Sequence, residues 1–156
     1  MKTNHDNSWM QELTQDLSNY LVNKLQSMSG DRSIDEIVEF YLKKIGATNT
    51  QILGKPLLGI EGNTIVIADF KDMHIRTIVL VKHWLKEADE SVIKQIVDAK
   101  SNYGTPNYTP ILWVVEVCNH FTERAQKLAD ENDVRLITDN EFARLLLDVG
   151  FGTLDL

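Results

Sequence analysis

The chain predicts a mixed α/β fold: an antiparallel hairpin joined to parallel strands in one sheet, flanked by helices on both faces, with an extra N-terminal helix. Three observations predict it. From residue 77 onward, apolar runs alternate with helix-period stripes, the order that builds parallel strands through right-handed crossovers. Just before, Thr64–Phe70 and Thr77–Trp84 are two apolar runs separated by a polar turn at 71–76, which reads as a hairpin of buried strands. The length of 156 residues, with 43% hydrophobic and 25% charged, suits a single domain able to bury a core.

Each element follows from its own pattern. Trp9, Met10, Leu13, Leu17, Leu21, Leu25 and Met28 recur at spacings of three and four, so a first helix runs from Ser8 to about Ser27. Ser29-Gly30 breaks it. Ser33 with Glu36 three residues later forms a capping-box pattern, and Ile34, Ile37, Val38, Tyr41, Leu42 and Ile45 draw the face of a second helix ended by Gly46. A short strand is expected within Thr48–Leu58. After the hairpin, Val92, Ile96 and Val97 mark a helix over Ser91–Ser101. A polar loop at 102–109 leads to Ile111–Val117, the most apolar run and a central strand. Phe121–Asn132 reads as a helix, Val134–Ile137 as a short strand, and Asp139 as the cap of a last helix through Leu147, with Gly150 ending it. Residues 1–30 are thus expected to be a helical extension and residues 31–156 the domain proper.

Composition excludes several classes. No apolar run approaches the roughly 18 residues that a membrane span needs. The N-terminal stretch MKTNHDNSWMQELTQ lacks the apolar core of a secretory signal, and the single Cys118 cannot form an intramolecular disulfide, so a cytoplasmic location is expected. Cys118 and His120 have no second pair at zinc spacing. The net charge of -7 opposes broad electrostatic binding to nucleic acid. Basic and acidic residues nearly balance between Glu61 and Lys100 (6 against 7) but not from Ser101 to Leu156 (4 against 9). A phosphate-facing surface is therefore expected around Lys71, Arg76, Lys82, Lys86, Lys94 and Lys100, a mixed-charge solvated surface being the plainer alternative.

Lys82 stands out. An ammonium inside a Val/Ile/Leu strand costs several kcal/mol if it is buried unpaired, so such a lysine meets solvent, a carboxylate or a phosphate.

Four segments together resemble the Mrr-type restriction endonuclease domain of the PD-(D/E)xK nuclease superfamily. Ile34-Asp35-Glu36-Ile37-Val38 through Lys44-Ile45-Gly46 resembles the family's opening helix. Val79-Leu80-Val81-Lys82-His83-Trp84 resembles its catalytic hairpin, which usually closes Gln-Cys-Lys-Arg-Trp or Glu-x-Lys. Phe121-Thr122-Glu123-Arg124-Ala125 after the strand from Ile111, and Leu128-Ala129 through Val134-Arg135-Leu136-Ile137-Thr138-Asp139, resemble its closing elements. The match spans about Ser33 to Leu147. The resemblance implies a restriction-endonuclease-like mixed sheet and Mg²⁺-dependent hydrolysis of DNA phosphodiesters, with an Asp and a Glu or Gln holding the metal and the Lys orienting the attacking water.

Carried onto this chain, the resemblance implies Lys82 and Asp35 as catalytic residues and Glu61 or Asn63 as metal ligands. His83, Lys86, Lys94 and Lys100 would face double-stranded DNA. The residue two before Lys82 is Leu80, which cannot ligate a metal, so a weakened or inactive site is expected, with Mg²⁺ needed only if the site is active. A non-catalytic pseudo-nuclease acting as a protein-interaction or DNA-recognition module is the alternative. The uninterrupted stripe of the first helix must be covered: it is expected to meet a second copy or a protein partner, packing back on the domain as an extra core helix being the alternative.

Overall fold

The computed structural model of the chain describes residues 8–27, 33–54, 63–82, 87–116 and 120–151. Five helices and five strands follow in the order α1 (Ser8–Ser27), α2 (Ser33–Lys44), β1 (Asn49–Leu53), β2 (Asn63–Phe70), β3 (Ile75–Lys82), α3 (Glu90–Tyr103), β4 (Thr109–Glu116), α4 (Glu123–Glu131), β5 (Val134–Ile137) and α5 (Asp139–Asp148). The strands form one sheet in the order β1-β2-β3-β4-β5. β1 and β3 flank β2 in antiparallel register, whereas β3, β4 and β5 are parallel. The mixed sheet expected from the residue pattern is thus the observed one.

The hairpin turns tightly because Lys71–Met73 forms one 3-10 turn and His74 closes it in the left-handed region, φ 53, donating its N–H to Lys71 O at 3.2 Å. The two parallel connections, β3-α3-β4 and β4-α4-β5, share one crossover hand and so stack both helices on one face. There Ile78, Leu80, Ile93, Ile96, Val114 and Ala125 form an apolar layer. On the other face, α2 and α5 cover Val66, Val79, Val81 and Val115, with Leu42, Phe142 and Leu146 between them. Strand alternation divides each strand between the two layers.

Several boundaries differ from expectation, for local reasons. β3 starts at Ile75, two residues early, because pairing with Phe70 continues up to the turn. Trp84 lies outside the described residues. α4 begins at Glu123 rather than Phe121: Thr122 is its N-cap, its hydroxyl accepting the Ala125 N–H at 3.1 Å, while Phe121 bridges Ala88. Likewise α5 is capped by Thr138, not by Asp139. Asp139 instead is fully buried, accepting from Gln26 Nε2 at 2.7 Å and from the Asn140 N–H at 2.6 Å. Gly46, at φ +114, follows α2 as expected; a side chain there would be strained. The Ser33 side chain lies outside the described residues.

α1 is more than an attached extension. Leu21 and Leu25 are buried with Ile34, Phe142 and Leu146, so its C-terminal half belongs to the core. Its N-terminal half leaves Trp9, Met10 and Leu13 exposed. Among the described residues, no helix is long and apolar enough to cross a membrane.

Candidate active site at the carboxyl end of the central strands

The hairpin and the two crossovers bring three strand ends together. β2 starts at Asn63, β3 ends at Lys82 and β4 ends at Glu116. Asn63 is the register partner of Lys82 on one side, and Glu116 is its partner on the other. The carboxyl ends of parallel strands are where open α/β sheets build ligand sites, because chain leaving the strands there surrounds a crevice.

Lys82 is 8% exposed and Glu116 1%. Both follow the pleat of Leu80 and Val114, which belong to the layer under α3 and α4. Neither Glu116 oxygen accepts a hydrogen bond from any described group. Burial pushes its carboxyl up to about 8; the Lys82 ammonium opposes that rise, and the nearby Asp139 and Glu87 carboxylates add to it. Glu87 itself holds His120 Nε2 at 3.3 Å. The result is a proton-holding acid beside a lysine, with two further carboxylates within electrostatic reach.

The expected site residues are distributed as follows. Asn63 does lie across the hairpin from Lys82, but its side-chain amide donates to Gln95 Oε1 of α3 at 2.8 Å. Asp35 is buried on α2 and accepts a hydrogen bond from the Thr64 hydroxyl, one residue along β2 from Asn63. Glu61, His83 and Lys86 lie outside the described residues. Lys94 and Lys100 are exposed on α3. Six residues apart, they diverge by roughly 120° around the helix, so they share no single face. Lys71 and Arg76 sit at the turn end of the hairpin, a strand length from Lys82. Arg76 is bound there to both Asp69 oxygens at 2.7 and 2.9 Å and to Tyr103 O at 2.8 Å.

Glu116 is the site residue that sequence reasoning missed. Its signal was a charge inside the most apolar run, Ile111–Val117, the same signal that singled out Lys82. Asp139 was read only as a cap, although it packs at the same end of the sheet.

The Mg²⁺ implied by the resemblance can be tested against these donors. Leu80, 1% exposed, sits in an apolar layer and presents only carbon at the position that the resemblance implies for a metal ligand. Among the described residues, no three His, Cys, Asp or Glu side chains converge to hold a metal. Among the described residues, the donors at this strand end therefore do not fit a cation, while Glu61 lies outside them.

The Restriction endonuclease family model (Mrr_cat) matches residues 25–146, more than half of the chain. The chain belongs to the restriction endonuclease family. Within this restriction endonuclease domain, the match includes every described strand and covers both Lys82 and Glu116. Its first residue, Leu25, is already a core residue of α1. Among solved structures, the chain is similar to the one titled "Structure of EndoMS in apo form", with 12% identity and a TM-score of 0.43; the likeness covers 65% of this chain and 44% of that one. The chain thus spans less than half the length of that protein. No curated protein matches it.

Proposed function

We propose that this restriction endonuclease domain is directed at double-stranded DNA and that its hydrolytic site is a weakened form of the Mg²⁺-dependent nuclease site. The observation that carries this reading is the end of β3: Lys82 stands beside Glu116, and two residues before it Leu80 is buried among apolar side chains. Phosphodiester hydrolysis needs positive charge held against the developing phosphate charge, and losing a carboxylate from the metal site loosens that hold. Lys82 is the water-orienting residue in this reading. Asp35 supports the start of β2 through Thr64, and Lys94 and Lys100 on α3 are phosphate contacts.

The test is a cleavage assay on plain and methylated duplex DNA with Mg²⁺ or Mn²⁺, with Lys82→Ala alongside. Trace, metal-dependent cleavage lost in the variant supports the proposal. Rapid cleavage at catalytic enzyme concentrations would sink the idea of weakening, and cleavage unaffected by Lys82→Ala would sink the site itself.

A second reading, a non-catalytic recognition module, is favoured by the same Leu80 burial. It expects salt-dependent DNA binding with no cleavage at any enzyme excess. In either case the exposed Trp9, Met10 and Leu13 of α1 form the contact for a second copy of the chain, because this part of the apolar stripe continues the buried Leu21–Leu25 face without cover among the described residues.

A further inference from the structure

We propose that the groove between α1 and α5 receives the exposed face of α1 from a second copy of the chain, joining copies head to tail. The proposal rests on the reading of α1 as a contact between copies. It adds which surface receives that contact and how charge sets its direction.

α1 carries two opposed faces. At about 100° per residue, Trp9, Glu12, Leu13, Asp16 and Tyr20 fall on one ridge, while Ser18, Leu21 and Leu25 lie on the other side of the helix. The second set is buried, with both leucines in the core that α5 shares. On the ridge, Trp9, Leu13 and Tyr20 are 59%, 51% and 41% exposed, and the exposed carboxylates of Glu12 and Asp16 stand among them. Scattered apolar residues at a surface are ordinary, but a contiguous set marks a place of contact. Beside the opposite face lies a groove of about 570 Å³, lined in part by Met10, Ser18, Arg144, Leu147 and Asp148.

The groove is the chemical complement of the ridge. Met10 and Leu147 give it apolar walls. Arg144 is exposed at its edge and makes no ion pair among the described residues. The Ser18 hydroxyl is buried and has no hydrogen-bond partner there. A buried hydroxyl is ordinarily satisfied, and the indole N–H of an incoming Trp9 needs an acceptor once it leaves water. Charge order sets the polarity. Along the ridge, Glu12 and Asp16 precede Lys24, whose ammonium lies over the Tyr20 ring; along the groove, Arg144 precedes Asp148. An incoming α1 laid parallel to α5 sets acid on base and base on acid, whereas the reverse direction sets like charges together at a cost. Because ridge and groove lie on opposite sides of α1, each copy gives on one side and receives on the other, a heterologous contact rather than a two-fold one.

The experiment follows the light-scattering mass of the full chain over a concentration series, with Leu13→Ser on the ridge and Arg144→Glu in the groove alongside. The wild type is expected to exceed the monomer mass increasingly with concentration, and each variant alone to associate at least about tenfold more weakly. Both positions are exposed, so the variants fold, as unchanged denaturant midpoints would show. Mixing the two variants restores one intact contact, the ridge of the Arg144→Glu chain in the groove of the Leu13→Ser chain, so a one-to-one pair is expected. Weakening by Leu13→Ser but not by Arg144→Glu, or no pair on mixing, would keep α1 as a contact and overturn its seat in the groove. A monomeric wild type would overturn both. Duplex binding by the same variants is scored separately, so the DNA-directed reading stands or falls on its own result.

Discussion

Lys82 and Glu116 are register partners across the parallel β3–β4 ladder, a buried ammonium set beside a buried carboxyl. One is the lysine that the resemblance to the restriction endonuclease hairpin singles out. The other is on the next strand, in a run of valines. The ammonium acts on the carboxyl electrostatically, so the chemistry of this strand end depends on protonation as much as on residue type.

The first prediction concerns pH. Burial raises the Glu116 carboxyl from its ordinary 4.5 to about 8. Between those values the unfolded chain has lost a proton that the folded chain keeps. Stability from this group is therefore complete below about pH 4.5 and falls as pH rises toward 8, with a slope approaching about 1.4 kcal/mol per pH unit. Glu116→Gln should flatten that part of the profile and gain relative stability at the alkaline end. Urea melts of both proteins in EDTA across this window check it; parallel profiles would refute the assignment.

Removing Arg76 should loosen the far end of the hairpin. Its guanidinium binds both oxygens of Asp69 and the Tyr103 carbonyl, tying the β2–β3 turn region to the end of α3. The partners are only partly exposed, so Arg76→Ala is expected to cost about 1–3 kcal/mol. A double-mutant cycle with Asp69→Asn should return a coupling of about 0.5–3 kcal/mol.

Two leucines of α1 should behave oppositely. Leu21 is fully buried in the core, and Leu21→Ala is expected to lose about 2–5 kcal/mol in denaturant melts. Leu13 is 51% exposed, so Leu13→Ser should leave stability within about 0.5 kcal/mol. The same Leu13→Ser change should shift light-scattering mass toward the monomer. An unchanged mass would remove this stripe as the contact between copies.

DNA binding, if it runs over α3, has a salt signature. Lys94→Ala should weaken binding on all duplex sequences alike and reduce the slope of log affinity against log salt by about 1. Lys100→Ala tests the other side of the helix. Fluorescence anisotropy over a salt series reads both, and unaltered slopes in the two variants would move the DNA elsewhere.

The fold was legible because its signals are local. Apolar alternation and helix-period stripes located all ten elements, several of them to the residue, as with α1 and β5. Caps were less legible. Thr138 and Asp139 are both capable N-caps, and what decided between them was Gln26, 113 residues away, taking the Asp139 carboxylate. The site divided in the same way. Asn63 could be counted across the hairpin to Lys82, because antiparallel register is fixed by one turn. Glu116 could not be placed beside Lys82, because parallel register depends on a helix between the strands, although its charge inside an apolar run marked it as unusual.

The sheet order has a kinetic consequence. Every strand pairs only with its neighbours in sequence, so the β-sheet can be assembled progressively as the chain lengthens, with each new strand added to a finished edge. α1 is the exception: made before every strand, it seats Leu21 and Leu25 against α5, which follows all of them. Until residue 139 and the helix after it emerge, an apolar helix waits without its partner, making this closing step the stage most exposed to misassociation between growing chains.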